Sequence, residues 1–277
     1  MYKIVKKEKL NDSVTRMVIE APFVAAKAEP GQFIILRVDK NGERVPLTIA
    51  DYDRDAQTVT IIFQIVGAET SLLNEKEEGD FIEDFVGPLG NATKTDGYKK
   101  VAVVGGGVGS AIAYPVAKKF FGIGTEVHSV VGFRNKDIVI LEKEFKTVSD
   151  KYVLVTDDGS AGEKGFVTDA LKKLIESGEK YDLVIAIGPL PMMKFVSLLT
   201  KQYGIKTVVS MNPIMVDGTG MCGGCRLTVG GETKFACVDG PEFDGHLVDF
   251  DEAMERSGIY KTFEREASCN LLNKEVQ

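Results

Sequence analysis

Three cysteines lie within sixteen positions in the stretch DGTGMCGGCRLTVGGETKFAC, residues 217–237. They are Cys222, Cys225 and Cys237, and the whole chain of 277 residues contains four. In a chain of this length such a cluster is more typical of a metal site than of a disulfide framework. A Cys-x2-Cys pair followed by a third cysteine suits either zinc or an iron–sulfur cluster, and the residues alone leave both open.

A glycine-rich turn lies earlier in the chain, in VAVVGGGVGSAIA, which has the pattern of a strand, a turn and a helix. Glycines let the backbone approach a pyrophosphate, and a helix N-terminus offers it free N–H groups and partial positive charge. The candidate contacts are Gly105, Gly106, Gly107 and Gly109. Because Ser110 occupies the third position of a G-x-G-x-x-G spacing, a tight turn without a ligand remains the alternative.

Two more turns follow predicted strands of the same region, VTDDGS and AIGPLP, and their candidate residues are Asp157, Asp158, Gly159, Gly188 and Pro189. Ligands bind at the carboxyl ends of parallel strands. The two aspartates suit ribose hydroxyls and favour NAD(H), although an Asx turn explains them equally well. Arg134, after another strand, would instead suit a 2′-phosphate, so the choice between NAD(H) and NADP(H) stays open.

Strands and helices must position these candidate residues. The chain divides into three segments. Residues 1–97 contain short runs rich in Val, Ile, Phe and Thr, which predict a small β-barrel or sandwich. Residues 98–210 alternate strands with helices and predict a parallel sheet covered on both faces. Residues 211–277 carry the cysteines and then an acidic tail that we expect to be helical from about residue 248.

Composition narrows the function further. The net charge is −7 and no run of Lys and Arg forms a basic face, so we expect no nucleic-acid partner. No signal-like segment begins the chain and its longest apolar stretch, 101–117, is short and rich in glycine, which predicts a cytoplasmic protein without membrane contact. Only two histidines are present, so we expect bound cofactors rather than catalytic side chains to carry the chemistry.

The stretches RVPLTIAD and IFQIVGAETSLL, together with GGGVG and TDDGS, resemble the ferredoxin–NADP reductase superfamily. In that family a β-barrel binds FAD and a following α/β domain binds a nicotinamide nucleotide. The resemblance implies FAD contacts at Arg44, Pro46, Leu47, Thr48, Ile62, Phe63, Gln64, Gly67 and Thr70. It gives Thr48 the hydroxyl position near flavin N5, while Leu47 replaces the usual aromatic residue and Arg44 is displaced by one position.

A closer likeness is to two kinds of subunit, the electron-transfer subunit of dihydroorotate dehydrogenase and the small subunit of electron-bifurcating NADH-dependent ferredoxin:NADP oxidoreductases. Both carry FAD and a [2Fe–2S] cluster, and MNPIMVDGTGMCGGCRLTV and CVDGPEFDGHLVDF look more like the second. The resemblance implies hydride exchange between NAD(H) and FAD. Single electrons would then pass to a large partner subunit that carries a second flavin and further clusters and serves ferredoxin. A non-catalytic zinc-bearing regulatory module is the alternative of another class.

The fourth ligand of the cysteine site has two candidates. The dihydroorotate-type subunits show a C-x4-C-x2-C spacing with a distant fourth cysteine, and laid on this chain the first position falls on Asp217. The resembling bifurcating enzyme has an aspartate ligand there, which favours Asp217. Cys269, in the tail, is the alternative that would restore four thiolates.

Overall fold

The computed structural model describes residues 1–259, and its first part is a seven-stranded antiparallel sheet in the order β6-β1-β2-β5-β4-β3-β7. Its strands are β1 (Tyr2–Asn11), β2 (Val14–Glu20), β3 (Phe33–Arg37), β4 (Val45–Asp53), β5 (Thr58–Gln64), β6 (Phe81–Ile82) and β7 (Asp84–Leu89). The two edge strands, β6 and β7, are separated by a single residue of the chain. The sheet must therefore curl until its edges meet, which makes it a nearly closed barrel.

The barrel closes around an apolar core. Successive side chains of a strand point to opposite faces, so alternate residues along the strands contribute to this core. Met17 and Ile61 are paired in register on β2 and β5, and both are fully buried with Ile19 and Phe63. Two short helices lie beside the sheet, α1 (Pro22–Ala25) and α2 (Ala68–Glu75). Helix α2 begins where β5 ends, so its N-terminus lies close to the β4–β5 side of the barrel.

The second sheet has seven strands in the order β11-β10-β9-β8-β12-β13-β16. All of its pairs are parallel except β13–β16, which is antiparallel. The strands are β8 (Lys100–Gly106), β9 (Glu126–Phe133), β10 (Lys151–Thr156), β11 (Glu163–Lys164), β12 (Leu183–Ile187), β13 (Thr207–Ser210) and β16 (Glu242–Asp244). The helices that follow these strands are α3 (Ser110–Gly122), α4 (Glu142–Thr147), α5 (Val167–Glu176) and α6 (Leu190–Gln202).

The cysteine segment contains a hairpin, β14 (Arg226–Val229) with β15 (Glu232–Phe235), and the helix α7 (Phe250–Arg256). It does not stand apart from the nucleotide-type sheet, because its strand β16 forms that sheet's edge. Cys225, Leu227 and Cys237 are buried in the same core as Val184 and Val209 of the sheet. The boundary predicted at residue 210 is thus crossed by both backbone pairing and side-chain packing.

The predicted fold class is confirmed: a barrel, a parallel-sheet domain and a small C-terminal segment follow one another along the chain. Strands and helices with strong periodicity appear where the sequence predicts them. Of the predicted helical tail, α7 is observed; it ends at Arg256 and residues 257–259 form a turn, while the rest of the tail, with Cys269, lies outside the described residues. No helix within residues 1–259 is both long and apolar enough to cross a bilayer.

Candidate functional site

A cleft of about 1480 Å³ runs between the barrel and the carboxyl edge of the parallel sheet. This volume exceeds that of most small-ligand pockets and is large enough for more than one nucleotide. All three segments contribute to its wall. The residues predicted from the sequence that line it are Pro46, Leu47, Thr48, Ile62, Phe63, Gln64, Thr70, Gly106, Gly107, Gly109, Asp157, Gly188 and Pro189.

Five of the residues predicted to contact FAD or a nicotinamide nucleotide do not line the cleft: Arg44, Gly67, Gly105, Asp158 and Gly159. Arg44 is exposed just before β4, and Gly67 is the N-cap of α2. Gly105 is buried within β8. The Asp158 carboxylate accepts hydrogen bonds from the backbone N–H of Ser160 at 2.9 Å and from its hydroxyl at 2.6 Å. These bonds lower the pKa of Asp158 and bind its side chain to its own turn.

The glycine turn between β8 and α3 packs closely against the neighbouring strand end. A Cβ at Gly109 would lie 2.7 Å from both the Cα of Gly188 and the carbonyl oxygen of Ile187. Gly107 has a left-handed φ of +55° and open space beside it, so its backbone faces the cleft. Such a close-packed turn before a helix presents backbone N–H groups to an anionic ligand.

The barrel half of the cleft contains a second helix N-terminus, that of α2. Within the described residues, the backbone N–H groups of Ala68, Glu69 and Thr70 have no acceptor. The Thr70 hydroxyl oxygen accepts the N–H groups of Val66 and Gly67, each at 3.0 Å, and so fixes the entry to the helix. A helix start with free N–H groups beside a cleft fits the pyrophosphate of a dinucleotide.

The cysteine loop brings two of its predicted donor atoms together. The sulfurs of Cys225 and Cys237 form an inner pair, 3.2 Å apart and buried. The Asp217 carboxylate accepts the backbone N–H of Thr219 at 2.8 Å and that of Cys222 at 2.9 Å, and these bonds lower its pKa. Cys222 is exposed, so it lies nearer the surface than the inner pair.

Burial raises the pKa of the Cys237 thiol to about 12, and the neighbouring sulfur of Cys225 adds to the shift. A buried thiol with such a pKa becomes a thiolate only when a metal cation stabilises the negative charge. The chemistry of the inner pair therefore fits a metal centre rather than a free redox-active thiol.

The spacing of the donor atoms also bears on which metal fits. In a single tetrahedral zinc site all ligand atoms lie about 3.8 Å from one another, given a Zn–S distance of about 2.3 Å. Among residues 1–259, the one set of three or more such ligand atoms within 4.8 Å of one another is formed by Glu126, His128 and Glu179, without any cysteine. A two-iron cluster needs only two protein ligands close together at each iron, and the Cys225 and Cys237 sulfurs meet that need for one iron.

Some cleft residues were not predicted from the sequence. Phe166, the residue before α5, lines the cleft with 63% of its surface exposed, which is unusual for an aromatic side chain. Phe33 of β3 and Pro241 of the C-terminal segment line the opposite side. A lone phenylalanine after a Gly-rich turn carries no recognisable spacing, so only the tertiary structure identifies these three residues.

Comparison with known proteins agrees with this geometry. Residues 103–198 match the oxidoreductase NAD-binding domain, and residues 212–249 match the iron–sulfur cluster binding domain of dihydroorotate dehydrogenase B. A dihydroorotate dehydrogenase B (NAD(+)) electron transfer subunit homolog from Thermotoga maritima is 49% identical, with 96% of this chain and 93% of that protein covered. The electron transfer subunit of Bacillus velezensis is 37% identical over 86% of this chain and 93% of its own length.

A solved structure is also similar over nearly the whole chain. A chain of the NADH-dependent reduced ferredoxin-NADP oxidoreductase, a structure concerned with flavin-based electron bifurcation, is 46% identical. The similarity covers 98% of both chains with a TM-score of 0.92. The chain therefore belongs to the family of dihydroorotate dehydrogenase B electron-transfer subunits and their homologues, which are oxidoreductases with an NAD-binding domain and an iron–sulfur domain.

Proposed function

We propose that the protein is the flavin- and iron–sulfur-containing electron-transfer subunit of an NADH-dependent ferredoxin:NADP oxidoreductase that bifurcates electrons. The observation that carries this proposal is the cleft, because the barrel, the glycine turn and the cysteine segment all contribute to one wall. The segment also packs on the barrel: a Cβ at Gly218, next to Asp217, would lie 2.9 Å from Ile35 and 2.7 Å from Leu89. FAD, a nicotinamide nucleotide and a cluster bound in these places would be neighbours.

Each of the two helix N-termini would bind one pyrophosphate. The free N–H groups at the start of α2 would hold the FAD pyrophosphate, with Arg44 as its predicted cationic contact. The turn around Gly107, followed by α3, would hold the pyrophosphate of NAD(H). Asp157, which has an exposed carboxylate at the cleft, would accept the ribose hydroxyls and disfavour a 2′-phosphate.

Between these anchors, Thr48 and the mainly apolar cleft wall would place the nicotinamide against the flavin and exclude water. FAD supplies hydride acceptance as an electron pair, and an iron–sulfur cluster supplies single-electron transfer. The protein's own contribution is orientation, because no side-chain acid or base is required. His128, which is 4% exposed, lies within the sheet and away from the cleft lining, in agreement with that role.

The partner would be a large subunit with a second flavin and further clusters, in the cytoplasm, and ferredoxin would react through it. Val216, Met221 and Val238 support this part of the proposal, because they surround the cysteine loop with exposed apolar surface. Met221 is 87% exposed, and Val238 lies against Gly220 of the same loop. An exposed apolar rim beside the exposed Cys222 suits a protein interface at the point where electrons would leave.

The electron-transfer subunit of a dihydroorotate dehydrogenase is the second candidate, and family membership supports it. Asp217 favours the first candidate, because it occupies the position of a cysteine ligand and its carboxylate is held beside Cys222. The zinc-bearing module is disfavoured because, within residues 1–259, no cysteine belongs to a set of three ligand atoms close enough to share one metal ion.

The test is anaerobic purification of the full chain, followed by visible spectroscopy and flavin and iron assays of wild type and of Asp217→Ala. We expect wild type to contain FAD and about two irons, and Asp217→Ala to lose iron while it keeps FAD. Asp239→Ala is the matched control, because Asp239 also accepts a backbone N–H within the segment, from Phe235 at 2.7 Å, but is not a predicted ligand.

Absence of both flavin and iron from wild type would refute the proposal. Full iron retention in Asp217→Ala would move the fourth ligand to Cys269. The subunit that copurifies distinguishes the two candidates. A partner that oxidises dihydroorotate would support the second candidate, and a partner that reduces ferredoxin would support the first.

A further inference from the structure

Glu69 is a buried carboxylate whose role the proposed cofactor contacts leave unexplained. It lies in the first turn of α2, only 6% exposed, beside the N–H groups that would hold the FAD pyrophosphate. A carboxylate beside these N–H groups repels a phosphate, so electrostatics alone would disfavour a glutamate at this position. Its hydrogen bonds indicate a different use.

Both oxygens of Glu69 reach the turn that joins β3 to β4. One accepts the backbone N–H of Val38 at 3.0 Å, and the other accepts the backbone N–H of Glu43 at 3.0 Å. The turn approaches so closely that a Cβ at Gly42 would lie 2.5 Å from the same carboxylate. Two separate backbone groups of one turn are thus held by a single side chain of α2.

The position of this turn matters because Arg44 follows it directly. Arg44 is exposed and has no hydrogen bond or ion pair to another residue in the part of the chain that the structure describes. Its backbone is fixed on one side by β4 and on the other by the bond between Glu43 and Glu69. Without that bond, nothing among the described contacts of Glu43 would set the distance between Arg44 and the start of α2.

We propose that Glu69 is a positioning residue, which docks the 38–43 turn on helix α2 so that Arg44 and the first-turn N–H groups of α2 bind one pyrophosphate. This inference rests on the proposed FAD site and deepens it. Only a carboxylate suits the position: glutamine has the same length but offers one acceptor and one donor, and the donor would face a backbone N–H. Aspartate is shorter by one methylene.

The experiment uses the full chain stripped of flavin, with FAD affinity measured at low and high salt. Glu69→Gln is the first variant. Gly42→Ala is the second, since its Cβ would force the turn and the Glu69 carboxylate apart while the residue at position 69 stays glutamate, and Gly42 does not have a left-handed φ that would add backbone strain. Asn74→Ala is the matched control, because Asn74 anchors the same helix to Thr15 of β2 at 2.7 Å and does not contact the turn.

We expect Glu69→Gln and Gly42→Ala to weaken FAD binding at least tenfold and to reduce its salt dependence, whereas Asn74→Ala changes both less than twofold. Arg44→Ala should weaken FAD binding about tenfold in wild type but less than twofold in Glu69→Gln, because the two residues act as one unit. A merely structural role of Glu69 would leave the effect of Arg44→Ala unchanged.

The inference is overturned if Glu69→Gln binds FAD as Asn74→Ala does, or if Arg44→Ala has the same effect in both backgrounds. Should Glu69→Gln fail to fold, wild-type affinity in Gly42→Ala would overturn the inference equally. Failure of wild type itself to bind FAD would refute the proposed function, which is a different result.

Discussion

Charged and polar residues lie at both edges of the parallel sheet. Those at the amino edge are paired with one another, whereas some at the carboxyl edge are not. At the amino edge, Lys100, Glu126 and Glu179 are joined in a compact network: the Lys100 ammonium contacts Glu126 at 2.8 Å and also bonds to Glu179. Lys151 adds a second contact to Glu179 at 3.1 Å. These lysines lower the pKa of Glu179 to about 2.

His128 belongs to this amino-edge network and completes it. Its two ring nitrogens lie 2.8 Å from the hydroxyl of Tyr181 and 3.1 Å from the carboxylate of Glu126. Burial, together with the charge of Lys100, lowers the pKa of His128. The set resembles a metal site in its donors, but the Lys100 ammonium already occupies the place of a cation.

At the carboxyl edge, by contrast, two charged side chains in the described part of the chain remain without protein partners. Within residues 1–259, the side chains of Asp157 and Arg134 make no hydrogen bond or ion pair, and both line the cleft. The glycine turn beside them is close-packed on one face and open on the other. A cluster of titratable residues is therefore not by itself a ligand-binding site, because a ligand needs unpaired groups and space.

The largest effect is expected for the substitution Gly109→Ala, at the carboxyl edge. The added Cβ would lie 2.7 Å from backbone atoms of residues 187 and 188, which cannot move aside as a side chain can. We expect the rate of FAD reduction by limiting NADH to fall by at least 100-fold, roughly 3 kcal/mol. Anaerobic stopped-flow absorbance measures this rate.

The control for Gly109→Ala is Gly122→Ala, on the last residue of the same helix, where an added Cβ meets no atom of residues 1–259 within 4 Å. It should keep the wild-type rate. An unchanged rate in Gly109→Ala would show that the glycine turn does not hold the nucleotide.

A second test concerns Glu242 of β16, an acid without the cation that the amino-edge acids have. Within residues 1–259, its carboxylate accepts one hydrogen bond, from the Thr93 hydroxyl at 2.7 Å, and burial raises its pKa to about 7. Its contribution to stability is full below the unfolded pKa of about 4.5 and is lost as pH rises through 7, by about 3 kcal/mol at most. Glu242→Gln should remove this pH dependence.

Urea unfolding of wild type and Glu242→Gln at pH 5 and pH 8 measures the difference. We expect the free energy of unfolding of wild type to fall more between these pH values than that of the variant. Parallel behaviour of the two proteins would mean that Glu242 ionises normally in the fold.

Phe166→Ala should have a smaller effect, confined to the binding of the nucleotide. Its ring is exposed at the cleft and suits stacking on a base, which contributes about 1 kcal/mol. We expect the dissociation constant for NADH to rise roughly fivefold with the rate at saturating NADH unchanged. Phe121→Ala, which removes an exposed ring of α3 outside the cleft, is the control; equal affinity in the two variants would exclude stacking.

The smallest effect is expected for Lys100→Met at the amino edge. Loss of the ammonium leaves Glu126 and Glu179 without their shared cation, and we expect the midpoint of thermal unfolding to fall by about 3 °C. NADH-dependent reduction of FAD should stay within twofold of wild type. A large loss of that activity would contradict the distinction between the two edges.

From the sequence alone, the elements and the fold class could be predicted, and glycine-containing turns at strand ends could be identified as candidate nucleotide sites. These follow from local rules: alternation in runs such as SVTRMVIEA, 3.6-residue periodicity in the helices, and glycines where a strand meets a helix. The spacing of Cys222, Cys225 and Cys237 indicates a metal for the same local reason. The resemblance that those motifs support extended this to the cofactors, and the family comparisons agree with it.

The tertiary structure decided what depends on residues far apart in the chain. It brought the sulfurs of Cys225 and Cys237 together in the core, and it attached β16 to the parallel sheet. It also brought Glu69 to the turn at 38–43, across more than 25 positions of the chain. No periodicity or short spacing encodes such contacts, because they exist only once the barrel, the sheet and the loop have packed together.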